Sequence, residues 1–252
     1  MPDPQRTRIE FRTWGRYALF TDPVTRVGGE KCSYHIPTYE ALKGVAKSIY
    51  WKPTLIWIID EVRVMRPIRT QTKGTKPLNF GGVYPSERTQ GKMQEPFNTL
   101  AIYTFLADVE YQVRAHFEWN NVRSELKEDR IEAKHVAIAR RMLERGGRQD
   151  IFLGTRDCQG YAEPCVFGSG EGAYDSAGEL AFGLTFHGFD YPDETGKSEL
   201  RTRFWMPKME NGVIRFIRPE ECKVSRFVRD MQPKDFKLSQ NQRAVETEES
   251  EA

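Results

Sequence analysis

Between Asp108 and Trp119 the chain alternates without interruption. Val109, Tyr111, Val113, Ala115, Phe117 and Trp119 share one parity, and Glu110, Gln112, Arg114, His116 and Glu118 the other. A period of two buries one face only in a β-strand, because helical neighbours recur every 3.6 residues. The rest of the chain must therefore supply strands to pair with this one and apolar surface to cover its aromatic face.

The remaining elements meet that requirement. Arg8 to Phe20 alternates in part, with Ile9, Phe11 and Thr13 against Glu10, Arg12 and Trp14, and forms a first strand. A turn-rich stretch follows. Pro37-Thr38 then opens a helix with Thr38 as N-cap, and Tyr39, Leu42, Val45, Ala46 and Ile49 fall on one stripe. The helix stops before Pro53, which disfavours helical backbone at Lys52. Thr54 to Val64 is a second strand, rich in Ile, Val, Leu and Trp. After the Asp108–Trp119 strand, a second helix runs from about Glu128 to Arg145, with Ile131, Ile138 and Met142 on one face and Gly146-Gly147 as its stop. Gln149 to Leu153 is a short strand.

The order βαββαβ predicts an α+β fold with the ferredoxin-like (RRM-like) arrangement, interrupted by a long insertion. That fold serves many unrelated functions and decides none of them. After Phe167 the composition turns to Gly, aromatic and turn residues. Leu180, Phe182, Leu184 and Phe186 alternate, and Leu200–Trp205 and Val213–Ile217 are expected as strands flanking the hairpin signal Asn211-Gly212. The expected division is a ferredoxin-like domain over 1–167, a smaller antiparallel β domain over 168–235, and a disordered acidic tail over 236–252.

The 252 residues suffice for one large domain or two modest ones, and 38% hydrophobic residues suffice for a core. The net charge of +2 demands no polyanionic partner, but the last nine residues carry four Glu and no Lys or Arg, so the rest of the chain stands at +6. No charged start precedes an apolar run, and the most apolar stretch, Leu55–Ile59, is five residues long. Secretion and membrane insertion are not expected, which points to the cytoplasm. Cys32, Cys158, Cys165 and Cys222 contain no CxxC pair and have no histidine at ligand spacing, so no metal site and no cofactor are expected. A Cys158–Cys165 disulfide stays open beside the reduced state.

Lys134-His135 stands out among only four histidines. Cleavage of an RNA phosphodiester without a metal asks for a group that moves a proton near neutral pH and a cation for the charge growing on the phosphorane. An imidazole and an ammonium answer those needs, although Lys-His also occurs on many solvated helix faces. Tyr50, at the end of the first helix, is most simply a core aromatic. In a ferredoxin-like domain, however, both helices pack on one sheet face, which lets its hydroxyl meet Lys134-His135. Which of His135 and Tyr50 takes the proton stays open.

From Arg66 to Lys92 six cations, Arg66, Arg69, Lys73, Lys76, Arg88 and Lys92, meet the single acid Glu87, with Phe80 and Tyr84 between them. A solvated loop and a phosphate-tracking arm both fit this stretch. Lys31, after the Gly28-Gly29 pair, fits a phosphate nest or a plain tight turn. Lys31, Arg66, Arg69, Lys73 and Lys76 are the candidate RNA contacts. His116 lies on the polar parity and is expected to be solvated, and His35 and His187 to be structural. Asp60-Glu61 is expected to point to opposite sheet faces and to share no ligand.

Several words of the sequence resemble the CRISPR-associated family five, in its Dvulg subtype (subtype d) of type I-C systems. They include Tyr17-Ala18-Leu19-Phe20-Thr21-Asp22-Pro23, Gly28-Gly29-Glu30-Lys31, Pro37-Thr38-Tyr39-Glu40-Ala41-Leu42-Lys43-Gly44 and Ser48-Ile49-Tyr50-Trp51-Lys52-Pro53-Thr54. Lys134-His135, Asp150-Ile151-Phe152-Leu153-Gly154-Thr155-Arg156, Cys158-Gln159-Gly160-Tyr161, the run from His187 to Gly196 and Met209-Glu210-Asn211-Gly212 continue the resemblance nearly to the tail. It implies a metal-independent endoribonuclease that cuts precursor CRISPR RNA in its repeat hairpin. The product's 5′ handle then stays bound within a surveillance complex whose other subunits target DNA. The family's Tyr, Lys and His fall on Tyr50, Lys134 and His135. The alternative is a non-catalytic subunit that grips the handle.

Overall fold

The computed structural model describes residues 3–26, 30–76 and 100–234. In chain order the elements are β1 (Arg8–Ala18), α1 (Pro23–Arg26), β2 (Lys31–Cys32), α2 (Tyr39–Ile49), β3 (Leu55–Val64), β4 (Thr70–Thr75) and β5 (Ala101–Trp119). A 3₁₀ turn (Ser124–Asp129) leads to α3 (Glu132–Glu144), then β6 (Ile151–Phe152), β7 (Gln159–Pro164), β8 (Glu179–Ala181), β9 (Thr185–Asp190) and α4 (Pro192–Thr195). The chain continues through β10 (Glu199–Trp205), β11 (Lys208–Glu210), β12 (Val213–Arg215) and β13 (Val224–Asp230). It is a mixed α/β structure, mostly antiparallel sheet with few helices.

The alternating segment is the spine. β5 is longer than its alternation indicates, beginning at Ala101, with Asp108 at φ 50° where the periodic part starts. Its flanking strands, β1 and β3, are both antiparallel to it, and β7 pairs the outer edge of β1. The order β7-β1-β5-β3 then continues through β12, β11 and β8, while β2 and β4 pair the early part of β5. A second sheet has the order β13-β10-β9. The stretch 168–235 therefore contributes strands to both sheets.

One face of the main sheet is covered by the helices, α2 against β3 and α3 against β1 and β7. Phe11, Trp57, Val113, Ala115 and Phe117 are fully buried there with Leu42, Ile49 and Ala139. Thr38 caps α2 as expected, its hydroxyl accepting the Ala41 N–H at 3.2 Å. Gly146 and Gly147, both at positive φ, close the end of α3 by donating to the Leu143 and Met142 carbonyls.

Five expectations are corrected. The second helix begins at Glu132 rather than about Glu128, because Arg130 and Ile131 leave helical backbone and Asp129 turns its carboxylate inward to Lys52 and Thr54. The alternation from Leu180 to Phe186 does not make one strand. It splits between β8 in the main sheet and β9 in the second. The Asn211-Gly212 turn, at φ 46° and 81°, joins β12 to β11 rather than to Leu200–Trp205, which lies in the second sheet. His116 is buried rather than solvated: Nδ1 lies 2.9 Å from Asp60 and Nε2 3.6 Å from Glu118. Asp60 and Glu61 do not diverge, because the register slips between Ile59 and Glu61 and turns both carboxylates to one face, toward His116 and Arg114.

The Gly28-Gly29 pair, Phe80, Tyr84, Arg88, Lys92 and the acidic tail lie outside the described residues. Cys32, Cys158, Cys165 and Cys222 are free thiols, and no helix among the described residues is long and apolar enough to cross a membrane.

Candidate nucleic-acid processing site

Tyr50 follows the last residue of α2. Its backbone N–H still closes the helix on Ala46, but its own φ and ψ, −157° and 130°, are extended. Its carbonyl accepts the Trp57 indole N–H at 2.7 Å, which ties the helix end to β3. The two residues leading to Pro53 carry the chain over the sheet edge, and Lys52 is buried there. On the other side, the break before α3 places Asp129 beside the first turn of that helix, which carries Lys134 and His135.

These segments meet. The Tyr50 hydroxyl lies 2.8 Å from His135 Nδ1, and both side chains are fully buried, although 85 positions separate them in the chain. His135 Nε2 is 2.6 Å from the Asp129 carbonyl oxygen. A carbonyl only accepts, so Nε2 carries the hydrogen and Nδ1 offers its lone pair to the Tyr50 O–H. Trp119 and Phe117 stand edge-on to the imidazole, with centroids at 5.7 and 6.2 Å. Burial drives the imidazole pKa below its ordinary value, with Lys52 and Lys134 adding to that fall against the opposing pull of Asp129. His135 is therefore neutral at neutral pH.

Asp129 is the hub beneath it. Its carboxylate accepts from Thr54 Oγ1 at 2.7 Å and pairs with Lys134 at 3.3 Å and Lys52 at 3.4 Å. One oxygen lies 3.5 Å from His135 Nε2. Burial opposes the charge, but Thr54, Lys52, His135 and Lys134 together hold the carboxyl below its ordinary range. Lys134 is the most open member of the group, its side chain one-third exposed. A cavity of about 280 Å³ bounded by Trp51, Pro53, Leu55, Asn120 and Arg123 adjoins the Tyr50–Lys52 corner.

The arrangement joins a neutral imidazole, a phenol committed to it and two ammonium groups around one carboxylate. Chemically it can pass a proton and hold negative charge. Lys52, Thr54 and Asp129 were not singled out in the sequence. Lys52 and Thr54 flank the proline that ends the helix, and Asp129 falls where helical periodicity would have continued. Among the described residues, no group of three or more His, Cys, Asp or Glu is arranged to hold a metal ion.

The candidate RNA contacts lie elsewhere. Lys31 and Lys73 flank Tyr103 in neighbouring strands, Lys31 over the Tyr103 ring at 4.8 Å and Lys73 over the Tyr17 ring at 3.4 Å. Hydrogen bonding to Lys73 holds the Tyr17 phenol below the ordinary tyrosine range. Arg66 is paired to Glu110 at 3.0 Å, while Arg69 and Lys76 are exposed. His135 packs against Trp119, at the other end of β5 from Tyr103, at most about 50 Å along the strand at ~3.3 Å per residue. The contacts of Lys31, Lys73 and Arg66 are with Tyr103, Tyr17 and Glu110 rather than with the Tyr50–His135 pair.

Comparison with known proteins shows the family of the chain. The CRISPR pre-crRNA endoribonuclease Cas5d of Mannheimia succiniciproducens is 30% identical over 162 residues, which make up 60% of this chain and 69% of that protein. The protein of the same description from Thermus thermophilus is 36% identical over 59 residues, 23% of this chain and 25% of that one. A solved structure described as the crystal structure of a CRISPR-associated protein superposes with a TM-score of 0.68 at 32% identity, covering 87% of this chain and 96% of that one. The family model described as CRISPR-associated protein (Cas_Cas5), in its Cas5d form, matches residues 8–217. With that match spanning both long helices and every strand of the main sheet, the chain belongs to the CRISPR-associated Cas5 family in its Cas5d branch.

Proposed function

We propose that this chain is an endoribonuclease acting on precursor CRISPR RNA, as the relatives' name describes for them, and that it cuts within the repeat hairpin without a metal. The observation that carries the reading is the 2.8 Å contact between the Tyr50 hydroxyl and His135 Nδ1, with Lys134 and Lys52 beside it. The ribose 2′-oxygen attacks its neighbouring phosphorus as its proton passes to the Tyr50 oxygen. The phenol proton passes on to His135 Nδ1. The bond from phosphorus to the 5′-oxygen breaks, that oxygen takes a proton from solvent, and a cyclic phosphate remains. Lys134 holds the charge on the phosphorane oxygens, the work that a metal ion performs in other nucleases.

Phenol and imidazole are sealed from solvent, so RNA opens the site between the first turn of α3 and the Trp51–Pro53 corner. The strand order β7-β1-β5-β3 supports the ferredoxin-like reading of residues 1–167, with β7 rather than the expected Gln149–Leu153 strand beside β1, and with 168–235 as a smaller antiparallel β domain. After cleavage the chain keeps the 5′ handle through its basic end at Lys31 and Lys73. It works in the cytoplasm within a type I-C surveillance complex, and meets target DNA only through the other subunits.

The burial of Tyr50 and His135 favours one competing reading, a non-catalytic subunit that grips the handle. Incubating the purified chain alone with a repeat RNA separates the two. The expected outcome is one discrete product, unaffected by EDTA and absent when the cut nucleotide carries a 2′-deoxyribose, while binding of that substrate survives. Cleavage of the deoxy substrate would end the proposal, and so would intact wild-type RNA.

A further inference from the structure

We infer that Asp129 is the positioning residue of this site: its carbonyl sets the tautomer of His135, and its carboxylate is the counter-charge for the imidazolium that forms when the Tyr50 phenol hands over its proton. The inference rests on the endoribonuclease reading for its role in the reaction, but its geometry stands without it. The 2.6 Å contact from His135 Nε2 to the Asp129 carbonyl leaves Nδ1 free to accept from Tyr50 at 2.8 Å. The opposite tautomer would place an N–H against the phenol and a lone pair against the carbonyl, and would lose its favourable contact at Nε2.

The carboxylate does a second job. A buried imidazole pays heavily for becoming charged, and its neighbours otherwise make this worse. The charged and titratable groups facing His135 are Lys134 from α3, Lys52 and Tyr50 from the α2–β3 corner, and Asp129. Among the described residues, β5 faces His135 with the rings of Trp119 and Phe117. Asp129 is the single anion in that set. It also draws both ammonium groups to one point, so the cations that would oppose an imidazolium are themselves balanced. Thr54 fixes the other carboxylate oxygen from the sheet edge, at 2.7 Å. The break before α3 thus has a chemical consequence: the Asp129 carbonyl accepts the Ile131 N–H at 2.8 Å across the turn and uses its second lone pair for His135 Nε2.

The test is Asp129→Asn, which keeps the side-chain shape, an oxygen to accept from Thr54 and the backbone carbonyl. In the RNA-free full chain, nitrogen NMR of the histidines is expected to show His135 as the neutral Nε2–H tautomer in both proteins, with its pKa lower in the variant. A wild-type Nδ1–H tautomer, or an unshifted pKa, overturns the inference. Single-turnover cleavage of repeat RNA across pH gives the functional arm. The rate at its plateau falls about 100-fold, the midpoint of its acid limb moves to lower pH, and the dissociation constant for the RNA stays within about twofold. A loss of rate with an unmoved midpoint overturns it as well. If the wild-type chain does not cut RNA at all, the endoribonuclease reading fails alone, since the NMR arm reads the positioning of His135 independently. Asp129→Glu, which restores the charge, is expected to recover part of the midpoint shift.

Discussion

At the scale of single residues, the polar parity of β5 shows how neighbours change what a side chain is. His116 carries the residue type and alternation of a solvated strand position, yet it is 3% exposed. Burial opposes its charge, but hydrogen bonds and attraction from Asp60 and Glu118 prevail and raise its pKa to about 9. The sign of its pH effect follows. A group raised from the ordinary 6.5 binds its proton more tightly in the folded chain, so its contribution is complete below about pH 6.5 and fades as pH rises through about 9. Urea midpoints measured across that window are expected to fall for the wild type and to fall less for His116→Asn. Parallel curves would show that the Asp60–His116–Glu118 group carries no pH-dependent stability. His187 works at the other end of the scale. Burial holds its pKa at about 4, so it stays neutral, stacked on Tyr39 at 4.2 Å, with Nε2 donating to the Ile217 carbonyl at 3.0 Å.

At the scale of elements, the two helices matter for where they end. α2 stops one residue before Tyr50 and α3 starts three residues after Asp129, so the site is assembled from helix ends and the corners beside them. The short β6 strand is held close to the end of β1 by the Leu19 N–H donating to the Leu153 carbonyl at 2.9 Å. Gly154 follows at φ 97°, where any Cβ would collide with the Leu19 carbonyl. Left-handed backbone and backbone contact together permit no side chain there. Gly154→Ala is expected to destabilise the chain by about 2 kcal/mol or more, read as a lower midpoint in chemical denaturation. A midpoint equal to wild type would mean that the β1–β6 contact relaxes freely. The Ile151-Phe152-Leu153-Gly154 word therefore has a packing reason beside its family resemblance.

At the scale of the whole molecule, the candidate cations and the candidate site sit at opposite ends of one long strand. Lys31 and Lys73 gather around Tyr103 and Tyr17, while Tyr50, His135 and Asp129 gather near Trp119. A structured RNA is long enough to touch both. Replacing Lys31 and Lys73 together by Gln is expected to weaken repeat-RNA binding and to reduce the slope of log affinity against log salt by about one to two. Fluorescence anisotropy at several salt concentrations measures it, and an unchanged slope would remove both lysines from the interface. The C-terminal strands bear on the same architecture. β12 lies on the free edge of β3, and Arg63 on β3 reaches Asp175 and the Ser169 and Gly170 carbonyls, covering Gln112 on β5. A chain ending at residue 167 would expose that edge and leave the buried Arg63 short of partners. It is expected to be insoluble or unfolded by circular dichroism, and a soluble, cooperative fragment would show the first 167 residues to be self-sufficient.

Local chemistry was enough to find the main strands, both long helices and the Thr38 cap, because alternation, stripe and capping act within a few residues. It also offered Tyr50, Lys134 and His135 as candidates, and the structure brings Tyr50 and His135 into contact. It did not reach Asp129, whose part depends on a helix that fails to continue. Nor did it reach the shared face of Asp60 and Glu61, which a single slip in register produces. Folding alone brought a phenol and an imidazole 85 positions apart to 2.8 Å and buried Gln112 and His116 on the polar parity of β5. Distances of that kind are set by pairing and packing between remote segments, and no window along the chain contains them.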